Sequence, residues 1–231
     1  MTLPQSEIPT VLITRPADAA ERFRAALKQS AGPFRSLILP AFEIVSSGAS
    51  IPDFDVGIFT SRAGIVFAPK GRNRVAYCVG DATADAATRS GYRAHSAQGS
   101  ASDLCQVILE QAPQDKLLHI RGEVSLGAVM ATLSAGGLQC SEVVAYRKDP
   151  KRLDRNMLEP VAEAKKLIVP LFSAETVSII GSWDVDFSPA TVVSISAAVG
   201  HVAAALNPAE IVVADAPDLP SMVASTARLI A

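Results

Sequence analysis

The chain has 231 residues, a formal net charge of −2 and a hydrophobic share of 49%, of which little is aromatic. This length allows one large domain or two modest ones, with ample aliphatic material for a core. The small net charge argues against a general nucleic-acid binder, although it is compatible with a local pocket for anions.

The N-terminus and the cysteines indicate where the protein works. The first ten residues are polar and carry no basic segment followed by an apolar run, so we expect no signal peptide. No apolar stretch approaches the ~20 residues of a membrane span. Cys78, Cys105 and Cys140 are odd in number and lack metal-ligand spacing, which is typical of buried thiols in a reducing compartment. We predict a cytoplasmic monomer without cofactor or metal.

Short apolar runs alternate with amphipathic segments along the chain. Residues 10–14 predict a strand, and Asp18 is a candidate cap for a helix that runs to about residue 30. Strands are predicted again at 56–60 and 74–79, each followed by a helix, and Gly91 ends the last of these helices. Continuous apolar strands that alternate with helices favour a parallel sheet covered on both faces.

The same order of blocks recurs at a shift of roughly 110 residues. The recurring blocks are 116–122 with 10–16, 169–176 with 57–64, and 191–196 with 75–80. Any two α/β segments look alike at this resolution, but here the order is kept as well as the type. We therefore predict a duplicated unit and two similar lobes.

Polar residues follow the predicted strands, where parallel sheets collect their ligands near helix N-termini. The candidate binding residues at these ends are Arg15, Thr60, Ser61, Arg62, Gly80, Thr83, Arg121, Ser173 and Ser196. Hydroxyls and backbone N–H groups there suit carboxylates or phosphates. The competing interpretation is that the hydroxyls are ordinary helix caps, and that Arg15 and Arg121 are surface charges or form ion pairs between domains.

The sequence lacks the usual catalytic and cofactor motifs, including nucleophile elbows, metalloprotease helices, phosphate loops and dinucleotide signatures. His95, His119 and His201 have no partner spacing, and we interpret each as a surface or satisfied structural residue. An enzyme with this inventory would work by positioning and electrostatics.

Several weak motifs, in order, resemble the uroporphyrinogen-III synthase family along nearly the whole chain. They are Thr14-Arg15-Pro16, Phe59-Thr60-Ser61, the turn at 79–84, Tyr146 after Gly137, and Phe172-Ser173. The resemblance implies an α/β fold of two similar lobes, each a parallel sheet flanked by helices, joined by a two-stranded antiparallel hinge. The implied terminal lobe is 1–37 plus 151–231, the middle lobe is 44–142, and the hinge ladder is 38–43 with 143–150.

The resemblance also implies an activity. The substrate would be hydroxymethylbilane, an open tetrapyrrole with acetate and propionate chains, which the family cyclises to uroporphyrinogen III with loss of water and inversion of ring D through a spiro intermediate. The resemblance implies no cofactor, nucleic acid or membrane. It is compatible with transient contact between this protein and the preceding pathway enzyme. Tyr146 is the candidate proton donor to the departing hydroxyl, and its alternative role is packing at the hinge.

The second half departs from the family pattern. Where a Gly-x-Thr-Thr-like turn is expected, residues 195–200 keep only Ser196 as a hydroxyl contact. We therefore expect the middle lobe to hold most substrate carboxylates, and its strand ends carry Thr60, Ser61, Arg62, Gly80 and Thr83. The departure is also compatible with a homologue that has lost activity. A two-lobed binding or sensor protein is the alternative function.

Overall fold

The computed structural model describes residues 8–124 and 128–231, so most of the polar N-terminal segment lies outside the described residues. The chain divides into two compact units, residues 1–43 with 150–231 (unit 1) and residues 44–149 (unit 2). Both divisions fall within strands rather than in loops, since one lies inside Phe42–Ser46 and the other near the end of Cys140–Pro150.

Unit 1 is built on a five-stranded sheet. Its strands are β1 Thr10–Ile13, β2 Arg35–Ile38, β9 Leu167–Leu171, β10 Thr191–Ser194 and β11 Glu210–Val213. They lie in the order β11-β10-β9-β1-β2, and every pairing among them is parallel. The helices of this unit are α1 Ala17–Ser30, α6 Arg155–Ala162, α7 Ala174–Ile180, α8 Ala197–Ala203 and α9 Leu219–Ile230. The β1 strand is buried along its whole length, as expected for a central strand covered on both faces.

Unit 2 carries a six-stranded sheet. Its strands are β3 Phe42–Ser46, β4 Val56–Phe59, β5 Val75–Cys78, β6 Arg93–Ser96, β7 Leu117–Gly122 and β8 Cys140–Pro150. They lie in the order β3-β8-β7-β4-β5-β6, in which the five strands from β8 to β6 run parallel. The helices of this unit are α2 Arg62–Phe67, α3 Asp81–Arg89, α4 Ala101–Gln111 and α5 Val129–Ala135.

The two sheets repeat one topology. From one edge, β11-β10-β9-β1-β2 in unit 1 corresponds to β6-β5-β4-β7-β8 in unit 2, and the three blocks matched in the sequence occupy equivalent places in both orders. The predicted α/β fold, with two similar lobes that each contain a parallel sheet flanked by helices, is confirmed.

Side chains of alternate residues in the unit 2 strands pack into two apolar clusters, one on each face of the sheet. Phe59 and Ile120 pack with the residues of α2 and α3, whereas Ile58 and Leu117 pack with those of α4 and α5. Because each strand contributes to both faces, the sheet is fixed between helices, and the residues just past its strand ends are held in place.

One local expectation was wrong. The first helix begins at Ala17 after Pro16, and Asp18 lies in its first turn instead of capping it. Proline suits the start of a helix because it lacks the N–H that would be unsatisfied there. Asp18 still favours the helix there, since a carboxylate near the N-terminus interacts well with the helix dipole.

Candidate active site

Four neighbouring strands of unit 2 end at one edge of the sheet, and most of the predicted site residues lie there. In sheet order the strands are β8, β7, β4 and β5. The site residues along this edge are Tyr146 on β8, Arg121 on β7, Thr60, Ser61 and Arg62 after β4, and Gly80 and Thr83 after β5. Because the strands are parallel, residues distant in the sequence share this edge.

Tyr146 and Ser61 form a short polar contact at this edge. The phenol oxygen and the Ser61 Oγ are 2.6 Å apart, and either atom can donate. The Tyr146 ring stacks on Phe67, with ring centroids 5.6 Å apart and an interplanar angle of 18°. Packing and the hydrogen bond together fix the phenol at the end of β4.

Gly122 lets the tyrosine reach that far. Tyr146 pairs with Gly122 across an irregularity in the β7–β8 register. A Cβ atom at Gly122 would lie 2.7 Å from Cε2 of Tyr146, closer than a real Cβ contact allows. The missing side chain therefore leaves the path over β7 open, and Ser61 on the far side of β7 becomes reachable.

Thr60 contacts a buried histidine, His119. His119 Nε2 lies 3.3 Å from Thr60 Oγ1, and the histidine is only 1% exposed. Its Nδ1 has no hydrogen-bond partner among residues 8–124 and 128–231. The interpretation of His119 as a surface or satisfied residue was therefore wrong. A signal was present, because a lone polar residue interrupts the apolar run of β7, but the run alone does not reveal which neighbouring strand it faces.

Burial lowers the pKa of His119 to about 4, and the positive charge of Arg121 adds to this, whereas Glu142 opposes it. The imidazole is therefore neutral at physiological pH. A neutral imidazole has one N–H donor and one bare acceptor nitrogen, so its contact with Thr60 has a defined direction.

Arg121 is engaged within unit 2. Its guanidinium lies 2.6 Å from the Glu142 carboxylate and donates to the carbonyl of Gly122 at 2.9 Å. The hydrogen bond from Arg121 lowers the pKa of Glu142, and Glu142 in turn raises the pKa of Arg121. A guanidinium with these partners orients the end of β7, although its buried Nε–H has no hydrogen-bond partner among residues 8–124 and 128–231.

The start of α3 offers unoccupied donors. Gly80 precedes the helix and provides no side-chain cap, so the first backbone N–H groups of α3 remain available. Its φ of −158° suits any residue, and a Cβ there would meet nothing within 4 Å. Thr83, one turn into the helix, is 6% exposed, and its hydroxyl has no hydrogen-bond partner in the described part of the chain.

Arg62 is the exposed first residue of α2. The residue before it, Ser61, makes no side-chain cap hydrogen bond because its hydroxyl is used by Tyr146. The β4 end therefore combines free N–H groups with a solvent-accessible guanidinium.

The equivalent residues of unit 1 are arranged differently. Ser173 caps α7 by accepting a hydrogen bond from the Thr176 N–H at 3.2 Å, and Ser196 caps α8 through the Val199 N–H at 3.4 Å. Arg15 lies over the Phe172 ring, with its guanidinium carbon 3.9 Å from the ring centroid. For both serines, the ordinary capping role considered in the sequence analysis is present.

This arrangement defines an α/β protein that presents hydroxyls and helix N-termini at the carboxyl ends of parallel strands. The model of the family described as uroporphyrinogen-III synthase HemD matches residues 21–224. The chain therefore belongs to the uroporphyrinogen-III synthase family, whose members are cyclising hydro-lyases of porphyrin and haem biosynthesis. The recognition made from the sequence is confirmed, and the binding or sensor protein is not favoured.

A solved structure of similar length shows the same fold. The uroporphyrinogen-III synthetase from Helicobacter pylori matches with a TM-score of 0.65 at 14% identity, over 94% of this chain and 96% of that one. A mutant uroporphyrinogen III synthase from Thermus thermophilus matches with a TM-score of 0.46 at 14% identity, over 96% and 98% of the two chains. No curated protein sequence matches the chain. None of the described helices is long and apolar enough to cross a membrane.

Proposed function

We propose that this chain converts hydroxymethylbilane to uroporphyrinogen III and that the β8-β7-β4-β5 edge of unit 2 carries the chemistry. The bilane loses its terminal hydroxyl to give an azafulvene, which closes at the substituted position of ring D. The resulting spiro intermediate fragments and recloses with ring D inverted, so that one water is lost overall. Without the enzyme the bilane closes uninverted.

The reaction explains the kind of residues at this edge. The pyrroles supply the electrons for ring closure, so no protein nucleophile is needed. The protein must hold a flexible polyanion so that the spiro closure lies near attack geometry. Hydroxyls and backbone N–H groups on rigid strand ends suit this task, because they bind carboxylates through hydrogen bonds of defined direction.

The observation that carries the proposal is the Tyr146–Ser61 contact of 2.6 Å. Tyr146 is the proposed proton donor to the departing hydroxyl, since its phenol O–H can act as a general acid. Ser61 and Phe67 hold the ring in position. When the phenol gives up its proton, the Ser61 hydroxyl can donate to the phenolate oxygen and stabilise it.

The carboxylate anchors are proposed at the ends of β4 and β5. The free N–H groups at the start of α3, with the Thr83 hydroxyl beside them, would bind one carboxylate. Thr60 and Arg62 would bind a second, with the Arg62 guanidinium able to make two parallel hydrogen bonds. Arg121 is proposed to orient the end of β7 through Glu142.

Unit 1 is proposed to contribute less. Arg15 adds positive charge at its strand ends, whereas Ser173 and Ser196 occupy backbone N–H groups of the helices that they cap, unlike the uncapped start of α3. We further propose that residues 38–43 and 143–150 act as the hinge between terminal and middle lobes. The hydrogen-bonded neighbours β3 and β8, in which the chain passes from one unit to the other, support this role.

The setting of the reaction is also part of the proposal. Because free hydroxymethylbilane closes spontaneously to the wrong isomer, brief contact with the preceding pathway enzyme in the cytoplasm would shorten its exposure. The test is a coupled reaction in which both enzymes are diluted together at a fixed molar ratio. If the enzymes make contact, the ratio of type III to type I product should stay constant on dilution. An isomer ratio that falls with dilution as free diffusion requires would contradict the contact.

The direct test is turnover of freshly generated hydroxymethylbilane by the purified protein, with separation of the type I and type III products. We expect the type III isomer to dominate, whereas a buffer control gives type I. Saturable binding of the bilane without change in the isomer ratio would instead support a binding or sensor protein.

A further inference from the structure

His119 lies in the interior of β7, and its ring makes a polar contact through one nitrogen. Nε2 is 3.3 Å from Thr60 Oγ1 at the end of the neighbouring strand β4. The residue is 1% exposed, so water does not readily satisfy its other nitrogen. That nitrogen, Nδ1, has no hydrogen-bond partner anywhere in the described ranges 8–124 and 128–231.

The neutral ring has two tautomers, and both leave Nδ1 without a partner among those residues. If Thr60 donates to a bare Nε2, the buried Nδ1 carries an N–H with nothing to accept it. If Nε2 carries the hydrogen and donates to Thr60, Nδ1 is a bare acceptor. Orphaned buried N–H donors are rarer than under-satisfied acceptors in native proteins, which favours the second tautomer.

This tautomer fixes the role of the threonine. Thr60 Oγ1 accepts from Nε2, so its own hydrogen must point elsewhere. Thr60 is half-buried and lies beside Ser61, whose hydroxyl is used by Tyr146. The Thr60 hydroxyl is thereby a ready donor at the edge where an anionic ligand would bind.

We propose that His119 is a positioning residue that donates from Nε2 to Thr60 and so fixes the Thr60 hydroxyl as a hydrogen-bond donor to a substrate carboxylate. The carboxylate ligand rests on the proposed function, whereas the tautomer and its contact with Thr60 do not. In this proposal His119 acts through Thr60, since it pairs with Ile58 inside the sheet, two residues before Thr60.

The tautomer can be read directly from the wild-type protein. In ¹⁵N-labelled protein at neutral pH, the His119 nitrogen that carries hydrogen shows a one-bond coupling to it. We expect that coupling at Nε2 in the wild-type protein. In a Thr60→Val variant, the Nε2–H signal should be lost or shifted. Coupling at Nδ1 would overturn the proposal, and this result does not depend on any enzymatic activity.

Variants at His119 test the consequence for substrate. His119→Phe fills similar space but donates nothing, and it should raise the KM for hydroxymethylbilane roughly ten-fold while kcat changes much less. His119→Gln places an amide N–H near the Nε2 position and should restore most of the affinity. His119→Asn places its amide nearer Nδ1 and should not.

A double-mutant cycle separates positioning from simple packing. If His119 acts through Thr60, His119→Phe should add no further rise in KM to a Thr60→Val protein. Independent, additive effects would overturn the positioning role even if the variants remain folded. A wild-type protein that never turns over hydroxymethylbilane would contradict the proposed function, whereas the nitrogen coupling would still decide the tautomer.

Discussion

The phenol of Tyr146 reaches the hydroxyl of Ser61 across the intervening strand β7, and the two oxygens lie 2.6 Å apart. The residues are 85 positions apart in the sequence, so only the sheet order brings them together. The ring crosses β7 at Gly122, where a side chain would block its path. The contact thus depends jointly on strand order, on the register irregularity and on a glycine.

Replacing Tyr146 by Phe should slow product formation roughly 10²-fold or less. General acids contribute about 10²–10⁴-fold, and water can partly substitute for the lost phenol. The isomer ratio should shift toward the uninverted ring, because spontaneous closure does not need the enzyme. Initial rates and product isomers in one assay give both readouts. An unchanged rate and ratio would leave Tyr146 with a packing role only.

Gly122→Ala should reproduce most of that loss with the phenol still present. The added Cβ would lie 2.7 Å from Tyr146 Cε2, so the ring must move away and the contact with Ser61 must lengthen. Gly32→Ala is the matched control, because a Cβ there meets nothing within 4 Å and its backbone has no positive φ. Equal activity of the two glycine variants would contradict this account of the tyrosine.

The fold was largely predictable because its signals are patterns of residue type along the chain. Continuous apolar runs indicate strands, and amphipathic segments that end at proline or glycine indicate helices. The recurrence of the same blocks in the same order indicates duplication. The contacts of the site were not predictable in the same way. The sequence places Thr60, Ser61 and Tyr146 near strand ends, but it does not show that Gly122 opens a path between two of them.

His119 illustrates the other limit. The apolar run around it indicates a buried strand, and from that pattern a histidine is most simply interpreted as structural. Its importance comes from the neighbour, Thr60, which follows a strand more than fifty residues earlier in the chain. The serines of unit 1 show the reverse case, since Ser173 and Ser196 look like Ser61 in sequence yet their hydroxyls are used as helix caps.

Thr83→Ala should reduce activity with little loss of stability. The Thr83 hydroxyl makes no hydrogen bond within the described residues, so its removal breaks nothing in the folded chain. A lost hydrogen bond to a charged group should cost about 1.5–3 kcal/mol of substrate binding. Thr88→Ala on the same helix is the control, because Thr88 is exposed and its hydroxyl bonds the Ala84 carbonyl. Unchanged kinetics with a lower melting temperature would show that Thr83 is structural.

Arg62→Ala should weaken substrate binding more than Ser173→Ala or Ser196→Ala. The guanidinium is exposed at a strand end with free helix N–H groups, and its loss should matter more at low salt, where screening is weaker. The two serine variants remove caps and should instead cost about 0.5–2 kcal/mol of stability. Parallel measurements of KM at two ionic strengths and of urea unfolding distinguish the effects. A larger rise in KM for either serine variant would show that unit 2 is not the main anchor.

The stability of the folded chain should fall as the pH drops from about 6.5 toward 4. An unfolded His119 titrates near its ordinary pKa of 6.5, whereas burial lowers its pKa in the folded protein to about 4. Between these values the unfolded chain binds a proton that the folded chain does not, so protonation favours unfolding. The shift corresponds to roughly 3 kcal/mol, which is present above pH 6.5 and lost as the pH falls through the folded pKa.

His119→Gln is the control for this pH dependence, since glutamine does not titrate and the other two histidines are retained. Urea unfolding at pH 7, 6 and 5 should show a declining free energy of unfolding in the wild type and a flatter profile in the variant. Glu142 acts in the same direction at lower pH, because its hydrogen bond from Arg121 lowers its pKa below the ordinary 4.5. The stability that Glu142 contributes is therefore lost mainly below the range of this measurement. Equal slopes in the two proteins above pH 5 would mean that His119 is charged or solvated in the folded state, and its contact with Thr60 would then need another explanation.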